Sequence, residues 1–241
     1  MTTLADFWQE AKKEKRSVIL LTSSAVLLTV SWYQGYYTFF LDALGGIDGG
    51  DDYALWHAHG LQFLADQVLM VLVPVLIIKL VLRESLRDFG VQLGDWRFGL
   101  KYLGAACVIL LPVLYLNSAD PAFQAEYPLV RGLYGDGPFN PFLWELTYLV
   151  YYIAWEFHFR GFQQLGMQKR VGPVLAITIQ MIATTLIHVR KPFGETFSTI
   201  TGAWLIGILT WRSRSVLWGI LLHWYLGAVT DYFCYLRLAG G

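Results

Sequence analysis

The chain has 241 residues, 56 % of them hydrophobic and 16 % aromatic, with only 15 % charged and 18 basic residues balancing 18 acidic ones. An ordinary soluble domain is about one-quarter charged, so a typical soluble enzyme is excluded, and the zero net charge argues against nucleic acid as a partner. No Asp, Glu, Lys or Arg occurs in 17–41, 102–117, 171–189, 196–211 or 215–230, and a helix crosses a bilayer with roughly 20 apolar residues.

The expected fold is therefore all-α: one integral membrane domain over 1–241, a polytopic bundle of about seven transmembrane helices. The first span is expected over 17–41. The basic-then-apolar order of "AKKEKRSVILL" resembles a signal peptide, but the apolar run is too long for one and reads as a retained span. The second span is expected over 61–82, where Gln62 and Asp66 read as interhelical hydrogen-bonding groups; His57 and His59 in "ALWHAHG" read as wet interfacial histidines. The segment "RESLRDFGVQLGDWRFGLK" is basic and partly amphipathic, and is expected to lie along the membrane surface. The remaining spans are expected over 98–117, 142–167, 172–189, 196–211 and 215–236, with a Pro, Gly and Asn-rich loop over 118–141. Cys107 and Cys234 lack metal or redox spacing and read as small apolar fillers.

Basic residues sort by side. Lys12, Lys13, Lys15 and Arg16 precede the first span; Arg83, Arg87 and Arg97 follow the second; Lys169 and Arg170 follow the fourth, and Arg212 and Arg214 the sixth. The acidic loops 42–52 and 118–141 fall on the other side, which predicts a cytoplasmic amino terminus and an external carboxyl terminus. Arg190 and Lys191 break the pattern. A bacterial source would put the chain in the plasma (inner) membrane.

Four ionisable groups stand where lipid disfavours them. Glu156 and Arg160 are four residues apart on the fourth span, hence on one face and within pairing reach. His188 ends the fifth span; His223 lies in the seventh and shares an i, i+4, i+8 stripe with Gly227 and Asp231. His158 projects to another face than Glu156. Ionisable groups at such depth usually face the bundle interior or a wet cavity. A structural Glu156–Arg160 pair and a hydrogen-bonded histidine are the plain alternatives. One carboxylate and two histidines from three helices could instead converge on a water and hydrolyse a peptide bond, or bind a divalent metal such as zinc; residue type and spacing do not separate the two. No HExxH helix, no intramembrane Gly-x-Gly-Asp and no GxSxG serine is present, which sets aside other intramembrane protease chemistries.

The motifs "WEFHFRG", "TLIHVRKP" and "HWYLG", in this order, resemble those of the CAAX prenyl protease and bacteriocin-processing family of intramembrane endopeptidases over roughly 80–236. Its pattern is a Glu-Glu-x-x-x-Arg helix, a Phe-x-x-x-His helix and a His-x-x-x-Asn or Asp helix. The resemblance implies a membrane endopeptidase acting on a membrane-associated peptide or protein substrate. Glu156 would activate water or act as its electrostatic partner, His188 would bind the water, His223 the oxyanion, and Arg160 would hold Glu156 ionised. Three positions depart from the pattern: Trp155 replaces the first glutamate, Thr184 the phenylalanine, and Gly227 the Asn or Asp. Glu195, just past His188, and Asp231, two turns beyond His223, are the candidate replacements for the lost groups. The two substitutions at Trp155 and Gly227 also motivate a non-catalytic scaffold or immunity protein; a small proton-coupled transporter is a further alternative.

Overall fold

The computed structural model describes residues 3–45, 52–135 and 140–240. Residues 46–51 and 136–139, which hold most of the Asp-Gly clusters of the two acidic loops, lie outside the described residues. Among the described residues the chain is helical, without strands. Helix α1 (Leu4–Lys13) starts at a capping box in which Thr3 and Asp6 satisfy each other's backbone N–H groups. A break at Gly35 and Tyr36 divides α2 (Lys15–Gln34) from α3 (Tyr37–Ala43). Helix α4 (Asp52–Leu82) begins well before the expected residue 61. It loosens into π-helical turns at Gln67–Leu72 and Ile77–Leu82 on either side of Pro74, whose ring has no N–H to donate.

Then follow α5 (Trp96–Asn117), α6 (Pro121–Glu126), α7 (141–171), α8 (Pro173–Ile187), α9 (Phe193–Ser213) and α10 (Leu217–Ala239). Asp95 and Asn140 cap α5 and α7 by accepting from Phe98 N and Leu143 N. Helix α7 is α-helical to Glu156, π-helical over Phe157–Leu165 and α-helical again to Val171. All nine residues of the π stretch are buried, because α2, α4, α8, α9 and the segment before α5 all pack on it.

Among the described residues four segments are long and apolar enough to cross a membrane: Lys15–Ala43, Asp52–Leu82, Trp96–Asn117 and Pro173–Arg190. The expected count of about seven is not reached. Helices α7, α9 and α10 have the length, but Glu156 and Arg160, Glu195, and Asp231 lower their hydropathy. These side chains turn into the bundle, so the three helices are polar inside rather than apolar all round. Helix α5 is the opposite case. Only Gly99 is buried on it, and Val108, Ile109 and Leu116 stand well exposed, an apolar face suited to lipid.

The segment expected to lie along the membrane surface is a strap up to Asp95, and from Trp96 it belongs to α5. It has one 3-10 turn, Leu86–Phe89, and Gly90 and Gly94 at φ +83° and +62° end any helix there. Its backbone is tied to the α9–α10 turn. Val216 N donates to Gly90 O (3.1 Å), Asp95 N to Ser213 O (2.8 Å), and Trp218 Nε1 to Leu93 O (3.1 Å). Gly161 lets Phe89 come close, since a Cβ at 161 would stand 2.8 Å from its carbonyl oxygen.

Four of the sorted basic residues each pair with an acid from another element. Arg16 pairs with Glu84, Arg170 with Glu14, Lys169 with Asp88 and Arg212 with Asp95. The Arg170 guanidinium holds the Glu14 carboxyl below its ordinary value. The exception, Lys191, pairs with Glu126 in the 118–141 loop, so its charge is met locally. Inside, Asp66 accepts from Ser31 Oγ at 2.7 Å and Gln62 Oε1 from Tyr37 N at 3.2 Å, the interhelical role expected of both. Gln164 and Gln180 tie α7 and α8 to the α9 carbonyls of Gly207 and Ala203 (2.8 and 3.1 Å). Each such bond contributes about 1 kcal/mol in a membrane bundle. His59 is not interfacial; it is buried between the rings of Tyr37, Phe63 and Trp144.

The strap's dependence on Gly94 is testable. A Cβ there would lie 2.0 Å from Ser213 O at a positive φ, so Gly94→Ala is expected to destabilise the detergent-solubilised protein by at least about 2 kcal/mol. Gly104→Ala on the lipid-facing helix, which meets nothing within 4 Å, is expected to leave thermal unfolding unchanged or raise its midpoint.

Candidate active site

Glu156 ends the α-helical part of α7, Arg160 follows one turn later in the π stretch, His188 sits where α8 runs into a 3-10 turn, Glu195 in the first turn of α9, and His223 in α10. The i, i+4 spacing pairs Arg160 Nη1 with Glu156 Oε1 at 3.1 Å, both side chains fully buried. The same carboxylate oxygen lies 2.6 Å from His223 Nδ1. A charge placed among apolar helices is thus met on the spot by a cation and an imidazole. The His188 ring is fixed differently, with Nδ1 2.8 Å from the Thr184 carbonyl oxygen. A carbonyl only accepts, so Nδ1 of His188 carries the proton and Nε2 keeps its lone pair. In His223 the carboxylate selects the same tautomer. Trp155 lies between the two imidazoles, its ring edge-on to both at centroid distances of 5.6 and 6.4 Å.

A cavity of about 270 Å³ is lined by His188, His223, Glu195, Arg160, Tyr127 and Tyr152, with the apolar faces of α5, α9 and α10 around them. Three of the expected site residues therefore share one space with Arg160. Glu156 does not line it; it stands behind His223. Asp231, fully buried, does not line it either and lies beside Trp144 and Leu129. The helical stripe with His223 is real, but two turns of α10 carry Asp231 out of reach of this space. His158, as expected, points elsewhere, enclosed by Phe159 and Phe162.

Glu195 is held by Tyr127, whose hydroxyl is 2.9 and 3.0 Å from the two carboxylate oxygens. Burial pushes its carboxyl above the ordinary value, against the lowering effect of Lys191 and the Tyr127 hydroxyl. Burial likewise acts to lower the Lys191 ammonium, and the facing Glu195 and Glu126 carboxylates more than reverse it. The donor set Glu156, His188, His223 does not fit a metal. Glu156 Oε1 faces Arg160 and His223 Nδ1 instead of the cavity, and among the described residues no three His, Cys, Asp or Glu side chains are grouped to hold an ion.

Residues 138–229 match the family model described as type II CAAX prenyl endopeptidase Rce1-like. Over this segment, less than half of the chain, the protein is similar to that family. The resemblance read from the three motifs is thereby borne out for α7 through most of α10, the part of the chain that carries Glu156, His188, Glu195 and His223. No curated protein and no solved structure matches the chain. Together with this family similarity, the four apolar helices among the described residues point to an integral membrane protein.

Tyr152 is a cavity residue that the motif spacing did not single out. It lies one turn before Glu156 on the same face, and its ring packs on His223 at a centroid distance of 4.6 Å.

The buried pair should show strong coupling. Arg160→Met is expected to cost about 3–5 kcal/mol, because it leaves a carboxylate buried without its cation. The double variant with Glu156→Gln should cost at least about 1 kcal/mol less than the sum of the two single changes. Denaturant unfolding in detergent micelles measures all three.

Proposed function

We propose that the protein is an intramembrane endopeptidase that hydrolyses a peptide bond of a membrane-associated peptide or protein substrate with an activated water. The observation that supports this best is the pair of imidazoles, both held through Nδ1, lining one cavity with Glu195 inside a Rce1-like segment. With Nδ1 of each ring engaged, both Nε2 lone pairs are free to accept the hydrogens of one water. His223 serves as the base, because Glu156 behind it faces the imidazolium that forms. Glu156 is in this reading a positioning residue. It never touches the water, and Arg160 pairs with it from the other side.

The chemistry then runs in two steps. His223 Nε2 takes a proton from the water as the new C–O bond forms and the carbonyl π electrons move to oxygen. The tetrahedral intermediate collapses as the C–N bond breaks, and the His223 imidazolium returns the proton to the leaving amine. Glu195, across the same space, accepts the N–H of the scissile amide and orients it. This divides the two carboxylates differently from the family's paired glutamates. The one in the motif acts through His223, and the one with access to the cavity comes from the start of α9.

The test is cleavage of membrane-anchored peptides by the reconstituted protein. His223→Ala is expected to lower turnover by roughly 10²–10⁴-fold, His188→Ala comparably, and Glu195→Gln by a smaller factor of about 10, since a carboxamide oxygen still accepts a hydrogen bond. Undiminished turnover in both histidine variants would overturn the proposal. A wild type that binds such peptides without ever cleaving them would point instead to the non-catalytic scaffold.

A further inference from the structure

An attack that ends with the proton on His223 needs a separate donor for the oxygen that becomes negative, and Glu195 and the two Nε2 atoms are acceptors. The donor is found by asking why α10 has a glycine one turn after His223. A Cβ built on Gly227 would stand 2.0 Å from the Tyr152 hydroxyl oxygen and 2.8 Å from its Cζ. The notch left by the missing side chain is therefore filled by a phenol from the neighbouring helix. Tyr152 and Gly227 both line the cavity that holds His188 and His223. The phenol is held from two sides. Its ring packs on His223 at 4.6 Å and on Tyr148 at 4.7 Å between centroids, with the two tyrosine hydroxyls interacting.

Resting on the endopeptidase reading above, we propose that Tyr152 is a catalytic residue. Its hydroxyl, seated in the notch at Gly227, donates the hydrogen bond that stabilises the tetrahedral oxyanion beside His223. No proton leaves the phenol. As the carbonyl π pair moves to oxygen, the Oη–H bond to it shortens and strengthens, and it relaxes when the C–N bond breaks. Because the hydroxyl is fixed before the substrate arrives and the surroundings exclude bulk water, little reorganisation accompanies the charge. Gly227 is the positioning partner, since any side chain there would displace the hydroxyl.

The experiment uses the full-length protein in liposomes and quenched-fluorescent peptides carrying one acyl chain. Tyr152→Phe removes one oxygen atom and is expected to lower kcat by about 10²–10³-fold with KM changed less than about threefold. A peptide phosphinate that mimics the tetrahedral centre should bind correspondingly more weakly, while the uncleaved parent peptide binds as before. Gly227→Ala should reproduce the kcat loss, and the double variant should be no slower than either single one. A merely structural tyrosine would alter KM and thermal stability together and would leave phosphinate and substrate affinities in their original ratio. Tyr152→Phe turning over like wild type overturns the assignment while leaving the endopeptidase intact. A wild type without cleavage, together with unaltered phosphinate binding in Tyr152→Phe, overturns both.

Discussion

Everything about the centre of this molecule depends on how a carboxylate survives among helices built for lipid. A lone ion there costs several kcal/mol even after relaxation. Glu156 is stabilised on one side by Arg160, one turn away on its own helix, and on the other by His223 from α10. With the imidazole neutral the cluster sums to no net charge, which is the least unfavourable arrangement in a dry interior. The same pairing that makes the carboxylate tolerable fixes the tautomer of His223 and leaves its Nε2 unengaged, as the proposed mechanism requires. Structural and chemical roles are not alternatives for this pair.

That arrangement explains the order of the surrounding elements. Helix α7 must be central, because it carries both members of the ion pair, and its fully buried π stretch begins at the residue after Glu156. The strap before α5 presses on Gly161 and on the α9–α10 turn, and so fixes α7 against the start of α10. Side chain to carbonyl bonds from Gln164 and Gln180 hold α9 in register with α7 and α8. Helix α5, on which only Gly99 is buried, is left outside to face lipid. A polar interior and an apolar exterior is the arrangement expected when the solvent is a bilayer.

Much of this was legible in the amino-acid sequence, for physical reasons that differ by element. Charge-free runs marked the helices, and the four-residue spacing of Glu156 and Arg160 marked their pair. The count of about seven spans goes unconfirmed because the rule for crossing a bilayer weighs mean hydropathy, whereas α7, α9 and α10 place their polar residues inside. The strap's basic and apolar residues alternate in a partly amphipathic way, and the two glycines in "FGVQLG" mark where no helix continues. Asp231 shared a face with His223 by periodicity, but a face is not a depth, and two turns of helix moved it away from the cavity. The contact of His223 with Glu156 and the insertion of Tyr152 at Gly227 are long-range events that no local spacing encodes. A glycine at a motif position that usually carries a side chain was the only trace of the second.

The most direct test of the account is the protonation of the two imidazoles, since both proposed roles follow from it. Side-chain ¹⁵N spectra of the histidine-labelled protein in lipid nanodiscs near neutral pH, with His188 and His223 assigned by single substitutions, read each ring nitrogen separately. The account predicts that both rings carry their proton on Nδ1 and present an unprotonated Nε2. A resting His223 or His188 with its proton on Nε2 would contradict it, because the water would then lose one of the two imidazole acceptors the account requires.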